Sequence, residues 1–245
     1  MNKSTLKTIE VLEFIAENRT GVTLTHIAKE LNIPKSSTSD ILKSLQQKGM
    51  VEYTESKSYK IGIKNLLLGN AYLANIDLII VSTPYINALS EQTGNTIFLA
   101  KMIDNRITYL HKREPMDFLV STCRIGSRAG LTTTALGKVI LAYNEKLQDI
   151  VLQKPMLQRT KHSITDPETM RQQLLEVKSN GYAIDNREDY ENVLCLGFPV
   201  FDERGLVEHS IGISGLHHEN RDIEREIELG RSCATEISHR LGFQP

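Results

Sequence analysis

The 245-residue sequence predicts an α+β protein with a small helical domain followed by a larger mixed domain. The spacing of apolar residues is helical up to about residue 92, apart from one short hairpin, and becomes alternating from Thr96 onwards. The length exceeds that of a usual single domain, and 40% hydrophobic residues are enough for two ordinary cores. We therefore expect two folded domains of different class.

Three short helices are predicted in the first domain. Apolar residues at spacings of three and four indicate helices over about residues 4–18, over Leu24–Leu31 and from Lys35 onwards. Between the second and third lies the turn Asn32–Ile33, followed by Pro34, a residue that a helix accepts in its first turn. The apolar faces comprise Leu6, Ile9, Leu12, Ile15 and Ala16, then Leu24, Ile27, Ala28 and Leu31, then Ile41, Leu42 and Leu45.

A two-stranded hairpin is predicted directly after these helices. Gly49 is a typical helix stop. Apolar and aromatic residues then alternate over Val51–Tyr53 and over Tyr59–Ile61, on either side of the polar tip Thr54–Ser58. Three helices with such a hairpin form a winged helix-turn-helix domain, which we assign to residues 1–62.

Short hydrogen-bond donors and cations remain on the solvent side of the third helix, where they suit the major groove of DNA. The simpler alternative is a small helical domain without a DNA partner. Residues 1–64 carry ten Lys and Arg against seven Asp and Glu, whereas the rest of the chain carries nineteen against twenty-three. This mild excess predicts that two such domains share one DNA site. The candidate DNA-contacting residues are Thr25, Lys35, Ser36, Ser37, Ser39, Asp40, Lys43 and Lys57.

A strongly apolar segment joins the two domains. Residues 63–77 are predicted to form a linker helix, because Ile63–Leu73 is too apolar for a free linker. A further helical stretch runs over about Leu78–Gln92, and Pro84 either kinks it or marks a fresh start.

The second domain, residues 78–245, is predicted to contain one sheet with helices on its faces. Its first two strands begin at Thr96 and are joined at Asp104–Asn105, a good turn pair. The other predicted strands are Phe118–Arg124, Tyr182–Asp185, Leu194–Phe201 and Leu206–Ser214, and the predicted helices are Thr133–Tyr143, Asp166–Gly181 and Asp222–Leu241.

Cysteine usage and hydropathy indicate a soluble protein of the reducing cytoplasm. Cys123, Cys195 and Cys233 lie far apart, and an odd number cannot all pair within one chain. No signal-peptide run opens the sequence, and nowhere do about 18 apolar residues follow one another without a charge. We expect no membrane partner and no metal or other cofactor.

At this point the chain resembles the IclR family of bacterial transcriptional regulators over nearly its whole length. The segment IPKSSTSDILKSL resembles the family's recognition helix, and TTTALGKVILAY is similar to a helix of its second domain. Its most characteristic block resembles NGYAIDNREDYENVLCLGFPVFDERG. Single residues that agree with the family are Tyr59, Gly62, Gly69, Pro84, Leu89, Thr93 and Gly94.

The resemblance implies a winged helix, a linker helix that helps to pair two chains, and a GAF-like effector-binding domain. Such proteins bind palindromic operators in double-stranded DNA as dimers or tetramers, and a small organic or aromatic acid commonly modulates this binding. The sequence departs from the family at Asp40, where arginine is common. That carboxylate either accepts from a cytosine amino group or points away from DNA, so the operator sequence cannot be transferred.

The resemblance also implies an effector pocket at the amino end of the helix Thr133–Tyr143. Unpaired backbone donors and the helix dipole favour a carboxylate there. Thr132–Thr134 either add hydroxyl donors or merely cap the helix. The candidate effector-binding residues are Phe118, Ala135, Leu136, Asp185, Val193, Cys195 and Ser214.

Other chemistry has weaker support. Cys195 is a pocket wall, a core residue or a nucleophile, and its apolar strand disfavours the last. His217 and His218 have no metal-ligand spacing, and the acidic stretch Asp185–Glu191 is expected to be mostly solvated. We therefore expect a regulator, preferably a repressor, with an activator or dual regulator as the alternative and a Cys195 enzyme as a remote one.

Overall fold

The computed structural model describes residues 3–18, 20–74, 77–115 and 123–244, with residues 72–74 and 77 described by their backbone alone. The chain forms two compact units, Met1–Ile76 and Asp77–Pro245. The finer division into residues 1–62, 63–77 and 78–245 stays a prediction.

The first unit is the expected helical domain with a hairpin. Its elements are α1 (Lys3–Glu17), α2 (Leu24–Glu30), α3 (Lys35–Gln47), β1 (Val51–Tyr53), β2 (Tyr59–Ile61) and α4 (Lys64–Ala74). The hydroxyl of Thr23 accepts the N–H of His26 at 3.3 Å and thereby caps α2. Gly49 follows α3 with a φ of +68°, a conformation that favours glycine.

One apolar core joins α1, α2, α3 and the hairpin. Its buried members are Val11, Ile15, Val22, Ile27, Ile33, Leu42, Leu45 and Val51. The predicted apolar face of α1 was wrong in part, because Ile9 is 47% exposed and Ala16 is exposed. Val11, four residues before Ile15, is fully buried instead. Residues six positions apart are separated by about 120° around a helix axis, so Ile9 does not share the face of Ile15.

The second unit is larger and mixed. Its elements are α5 (Asp77–Thr93), β3 (Thr96–Ile103), β4 (Arg106–Arg113), β5 (Arg128–Ala129), α6 (Ala135–Ala142), α7 (Glu145–Leu152), α8 (Pro167–Asn180), β6 (Ala183–Asn186), β7 (Val193–Phe201), β8 (Val207–Leu216) and α9 (Ile223–Arg240). The turn at Asp104 and Asn105 has φ values of 50° and 56°, as expected for a tight hairpin between β3 and β4.

Among the residues that the structure describes, six strands form an antiparallel sheet, ordered β5-β4-β3-β8-β7-β6, at the centre of this unit. Helix α6 packs on one face, so closely that a Cβ at Gly197 would lie 2.5 Å from the backbone oxygen of Ala135. Helix α9 packs on the other face, where Gly230 meets the ring of Phe198. Two glycines thus set the spacing between sheet and helices.

Some predicted boundaries were wrong. Cys123 and Arg124 belong to no strand, and residues 118–122 of the predicted strand lie outside the described residues. The short strand β5 and the helix α7 were not predicted. Helix α6 begins at Ala135 rather than Thr133, because Thr134 is its N-cap. Pro84 lies inside one continuous helix, so it does not mark a fresh start.

A membrane-spanning helix is absent from the described part of the chain, where no helix is both long and apolar enough.

Candidate functional site

The first candidate site is the solvent side of α2, α3 and the hairpin tip. Ile41, Leu42 and Leu45 face the core of the first unit, which turns the opposite side of α3 outward. Of the predicted DNA-contacting residues, those that are exposed are Thr25, Lys35, Ser36, Ser37, Asp40, Lys43 and Lys57. Ser39 is half-buried. The structure therefore leaves seven of the eight side chains open to a partner.

Two local features stiffen this surface. Thr38 is fully buried, and its hydroxyl donates to the backbone oxygen of Pro34 at 3.1 Å, which ties the first turn of α3 together. In the hairpin tip the hydroxyls of Thr54, Ser56 and Ser58 lie within 3.0 Å of one another, and Lys57 has a φ of +58°. The burial of Thr38 was not predicted. This residue lies between Ser37 and Ser39 in the sequence, but its side chain is on the buried side of the helix.

The second candidate site is a cavity of about 330 Å³ in the second unit, between the amino end of α6 and the strands β3, β4, β7 and β8. Six predicted effector-binding residues line it: Ala135, Leu136, Asp185, Val193, Cys195 and Ser214. Phe118, the seventh, lies outside the described residues. The structure thus places distant parts of the sequence around one space, and that they bind an effector stays a prediction.

The amino end of α6 faces this cavity. The hydroxyl of Thr134 accepts the N–H of Gly137 at 3.1 Å and donates to the backbone oxygen of Gly130 at 2.7 Å. The N–H groups of Ala135 and Leu136, in the first helical turn, have no acceptor within an α-helix. They are the donors that a carboxylate can use at this end of the cavity.

The hydroxyls of Thr133 and Thr134, just before α6, form hydrogen bonds within the chain. Thr134 is the N-cap, and Thr133 donates to Oδ1 of Asp189 at 3.0 Å. Both hydroxyl protons are therefore engaged within the chain, which favours the capping interpretation for Thr134 and gives Thr133 a different partner, Asp189.

The acidic stretch Asp185–Glu191 is not mostly solvated, contrary to our expectation. Asp185 and Glu188 are buried, Asp189 is half-buried, and only Glu191 of the four carboxylates is exposed. Oδ1 of Asp185 accepts the N–H groups of Glu188 and Asp189, at 2.7 and 3.3 Å, and so folds the stretch back on itself. Burial raises the pKa of Asp185 to about 7.

A buried ion pair lies behind the cavity wall. Nζ of Lys138, on α6, contacts Oε1 of Glu188 and donates to the backbone oxygen of Ile184 at 3.1 Å. Burial lowers the pKa of Lys138 and raises that of Glu188, and the attraction between the two charges opposes both shifts. The pair fixes α6 to the stretch after β6, which carries Asp189 and Tyr190 of the cavity wall.

Cys195 belongs to the cavity wall rather than to a catalytic group. Its thiol donates to Oγ of Ser214 at 3.2 Å, and burial raises its pKa, which disfavours the nucleophilic thiolate. His217 and His218 are exposed. Among the described residues no three His, Cys, Asp or Glu side chains are placed to hold a metal ion.

The sequence interpretation missed part of the cavity lining. The lining residues that were not considered are Thr96, Phe98, Tyr109, Cys123, Asp189, Tyr190, Gly212, Gly215 and Leu216, whereas Thr134 was considered as a hydroxyl donor and lines the cavity as well. Thr96 and Phe98 are two positions apart on β3, so the alternation of that strand was a usable signal. Gly212 makes space for Leu136, whose side chain would lie 3.0 Å from an added Cβ. That contact between distant residues left no local pattern in the sequence.

A winged helix-turn-helix in one chain with a separate cavity-bearing unit is the architecture typical of ligand-responsive transcriptional regulators. Comparison with known proteins identifies the family. Residues 4–55 match the family description "IclR helix-turn-helix domain", and residues 70–239 match "Bacterial transcriptional regulator IclR C-terminal". The chain belongs to the IclR family of bacterial transcriptional regulators, whose members are regulators and not enzymes.

Relatives and solved structures agree with this assignment. The chain is 31% identical to the HTH-type transcriptional regulator KdgR of Dickeya chrysanthemi over 245 residues, which cover 98% of this chain and 80% of KdgR. An IclR-type regulator of Alicyclobacillus acidocaldarius has a TM-score of 0.87 at 25% identity, covering 99% of this chain and 100% of that one.

An IclR homologue of Microbacterium hydrocarbonoxydans, solved as a complex with 4-hydroxybenzoate, has a TM-score of 0.81 at 20% identity. The match covers 98% of this chain and 99% of that one. At this level of identity the likeness concerns the fold alone.

Proposed function

We propose that this regulator is a repressor whose operator binding is modulated by a small carboxylic acid held in the cavity of the second unit. The observation that carries this proposal is that the amino end of α6 lines the cavity with Thr134, Ala135 and Leu136, where the first-turn N–H groups lack partners within the helix. An acid that binds there alters DNA binding only as far as it prefers one arrangement of the protein over another.

The lining supports an acid with a compact apolar body. Phe98, Tyr109, Leu136 and Val193 provide apolar surface around the polar helix end. Asp185, with its raised pKa, can exchange a hydrogen bond with a hydroxyl group of the ligand. A hydroxylated aromatic acid such as the 4-hydroxybenzoate of the Microbacterium homologue has these features.

Repression is the mode that demands least of the protein. A winged helix that occupies an operator blocks access to it without any further contact, whereas activation requires a surface for the transcription machinery. Repression is also the commoner mode implied by the family. Activation or dual regulation is the alternative, and increased transcription of the target gene in the presence of the free protein would favour it.

The proposed operator complex contains at least two copies of the chain. The first unit has a mild cationic excess, and specific affinity grows with the number of phosphates neutralised. Around α4 the apolar side chains Ile63, Leu66, Leu67 and Leu68 are each more than half exposed in the single chain, which supports a pairing surface. The molar mass measured by light scattering should exceed the 27.6 kDa of one chain. The variant Leu67→Glu should have a lower measured mass than the wild-type protein. A wild-type monomer at micromolar concentration would contradict pairing.

The ligand assignment is tested by filling the cavity from α6. Benzoate and 4-hydroxybenzoate should raise the melting temperature of the wild-type protein and change its affinity for DNA from upstream of its own gene. Ala135→Trp should abolish both responses, and Ala135→Val should weaken them. Because Ala135 is only 1% exposed, each variant is first checked for retained operator binding. A variant that binds DNA and still responds with unchanged affinity would place the pocket elsewhere.

A further inference from the structure

The cavity presents an electrostatic problem for an acid. Two carboxylates, those of Asp185 and Asp189, belong to its lining, and among the described lining residues there is no Lys, Arg or His. Two ionised carboxylates facing a ligand carboxylate would repel it, since like charges in a partly buried site interact strongly. Asp185 has its pKa raised to about 7 and so is partly neutral near neutral pH. The negative charge of Asp189 must therefore be compensated in another way.

Asp189 is neutralised from outside the cavity. Nε of Arg159 lies 2.8 Å from its Oδ1 and also donates to its backbone oxygen at 3.4 Å. The hydroxyl of Thr133 donates to the same Oδ1 at 3.0 Å. Burial raises the pKa of Asp189, while Arg159 and Thr133 oppose this rise. The carboxylate is therefore held by two donors on its own protein.

Arg159 acts from behind the wall. It is not a lining residue, and its side chain is 40% exposed against 12% for Asp189. Its guanidinium also lies 5.5 Å from the ring centre of Tyr190, the neighbouring residue of the wall. The main chain holds Arg159 in place, because its N–H donates to Oγ of Ser163, and Ser163 in turn donates to the backbone oxygen of Glu188.

We propose that Arg159 is a specificity-determining residue of this cavity, which makes the cavity accept an anion by neutralising Asp189 and holding Tyr190 in the wall. The inference rests on the proposed acid ligand and names the residue on which its charge selectivity depends. Without Arg159, Asp189 faces the ligand as an uncompensated carboxylate. The loss is then specific to anions and leaves neutral ligands of the same shape unaffected.

The test compares benzoate with benzamide, which has nearly the same shape and no charge. Titration calorimetry on the full-length protein should show that Arg159→Gln weakens benzoate binding about tenfold and leaves benzamide binding unchanged. Arg159→Lys keeps the charge and should recover most of the benzoate affinity. The double variant Arg159→Gln with Asp189→Asn should recover it too, because the carboxylate that needed a partner is gone.

Each other outcome has a defined meaning. Equal losses for benzoate and benzamide would show that Arg159 only supports the wall, and this would overturn the proposal. If benzamide binds neither the wild-type protein nor the variants, the test depends on the double variant alone. Benzoate affinity in the double variant as low as in Arg159→Gln then overturns the proposal. No benzoate binding by the wild-type protein at millimolar concentrations would remove the acid ligand itself, and the role of Arg159 with it.

Discussion

The two candidate sites differ in how they are connected to the interior of the protein. The DNA-reading surface consists of exposed residues close together in the sequence, over a core whose described buried polar side chains are Thr38 and Ser58. The cavity of the second unit combines residues from Thr96 to Leu216. Its wall contains the buried Asp185 and is backed by the buried pair Lys138–Glu188, and the same unit also buries Arg221 and Glu226. A surface site can change with little effect on stability, whereas a site built on buried charges cannot.

The largest effect on stability is expected from a substitution in the buried ion pair Arg221–Glu226. The guanidinium of Arg221 meets both carboxylate oxygens of Glu226, with Nη2 at 2.6 Å, and donates from Nη1 to the backbone oxygen of Leu194. Asn95 donates to Oε1 of the same carboxylate at 2.9 Å. Glu226→Ala leaves a buried cation unpaired and should reduce the free energy of unfolding by about 3–5 kcal/mol. Urea unfolding of the full-length protein measures the loss.

Two matched variants sharpen this comparison. In the first unit, His26 and Glu30 are exposed and 3.7 Å apart, so Glu30→Ala should have little effect. In the second unit, the double replacement Arg221→Met with Glu226→Leu should recover much of the loss, because no charge remains buried. Equal effects of Glu226→Ala and Glu30→Ala would contradict the contrast between the two regions.

The next effect is a pH dependence of stability centred on Asp185. Its carboxyl ionises near pH 7 in the folded chain and near its ordinary value of 3.8 when unfolded. Between these values the folded state holds one more proton, so the stability from this group falls as pH rises and levels off above about 7. Asp185→Asn should remove a slope of up to about 1.4 kcal/mol per pH unit from that window.

The variant is informative because asparagine keeps an oxygen to accept the N–H groups of Glu188 and Asp189. The slope is obtained as the difference between wild-type and variant stability at each pH, so the titrations of groups that do not interact with Asp185 cancel. His209, for example, has its pKa lowered to about 4 by burial and contributes a slope of the opposite sign. Parallel stability curves for the two proteins would contradict the raised pKa.

The difference between local and long-range contacts also explains which features could be predicted from the sequence. Helical spacing and local turn residues predicted α2, α3, the hairpin and most of the sheet strands, because each of these patterns lies within a few residues. The hydrogen bond between Thr133 and Asp189 and the pair of Lys138 with Glu188 join residues about fifty positions apart. Their burial depends on how α6 packs on the sheet, which no local pattern encodes. For this reason the acidic stretch was wrongly expected to be solvated.

The smallest effect on the protein is expected from substitutions on the DNA-reading surface. Lys35, the first residue of α3, and Lys43, further along the same helix, are both exposed. If each touches a phosphate, Lys35→Ala and Lys43→Ala should weaken binding to all DNA sequences alike and lower the slope of log affinity against log salt by about one unit each. Neither should change the stability of the protein, because both side chains are solvated.

Lys146→Ala provides the control for net charge, since it removes an exposed lysine from α7 in the second unit. A long-range effect of net charge would lower the salt slope equally in all three variants, whereas a direct contact lowers it only in Lys35→Ala and Lys43→Ala. Salt titrations of DNA binding by fluorescence anisotropy distinguish these results. Unchanged affinity and slope for both α3 variants would contradict the assignment of this surface to DNA, while the cavity assignment would remain, because it depends on residues of the second unit alone.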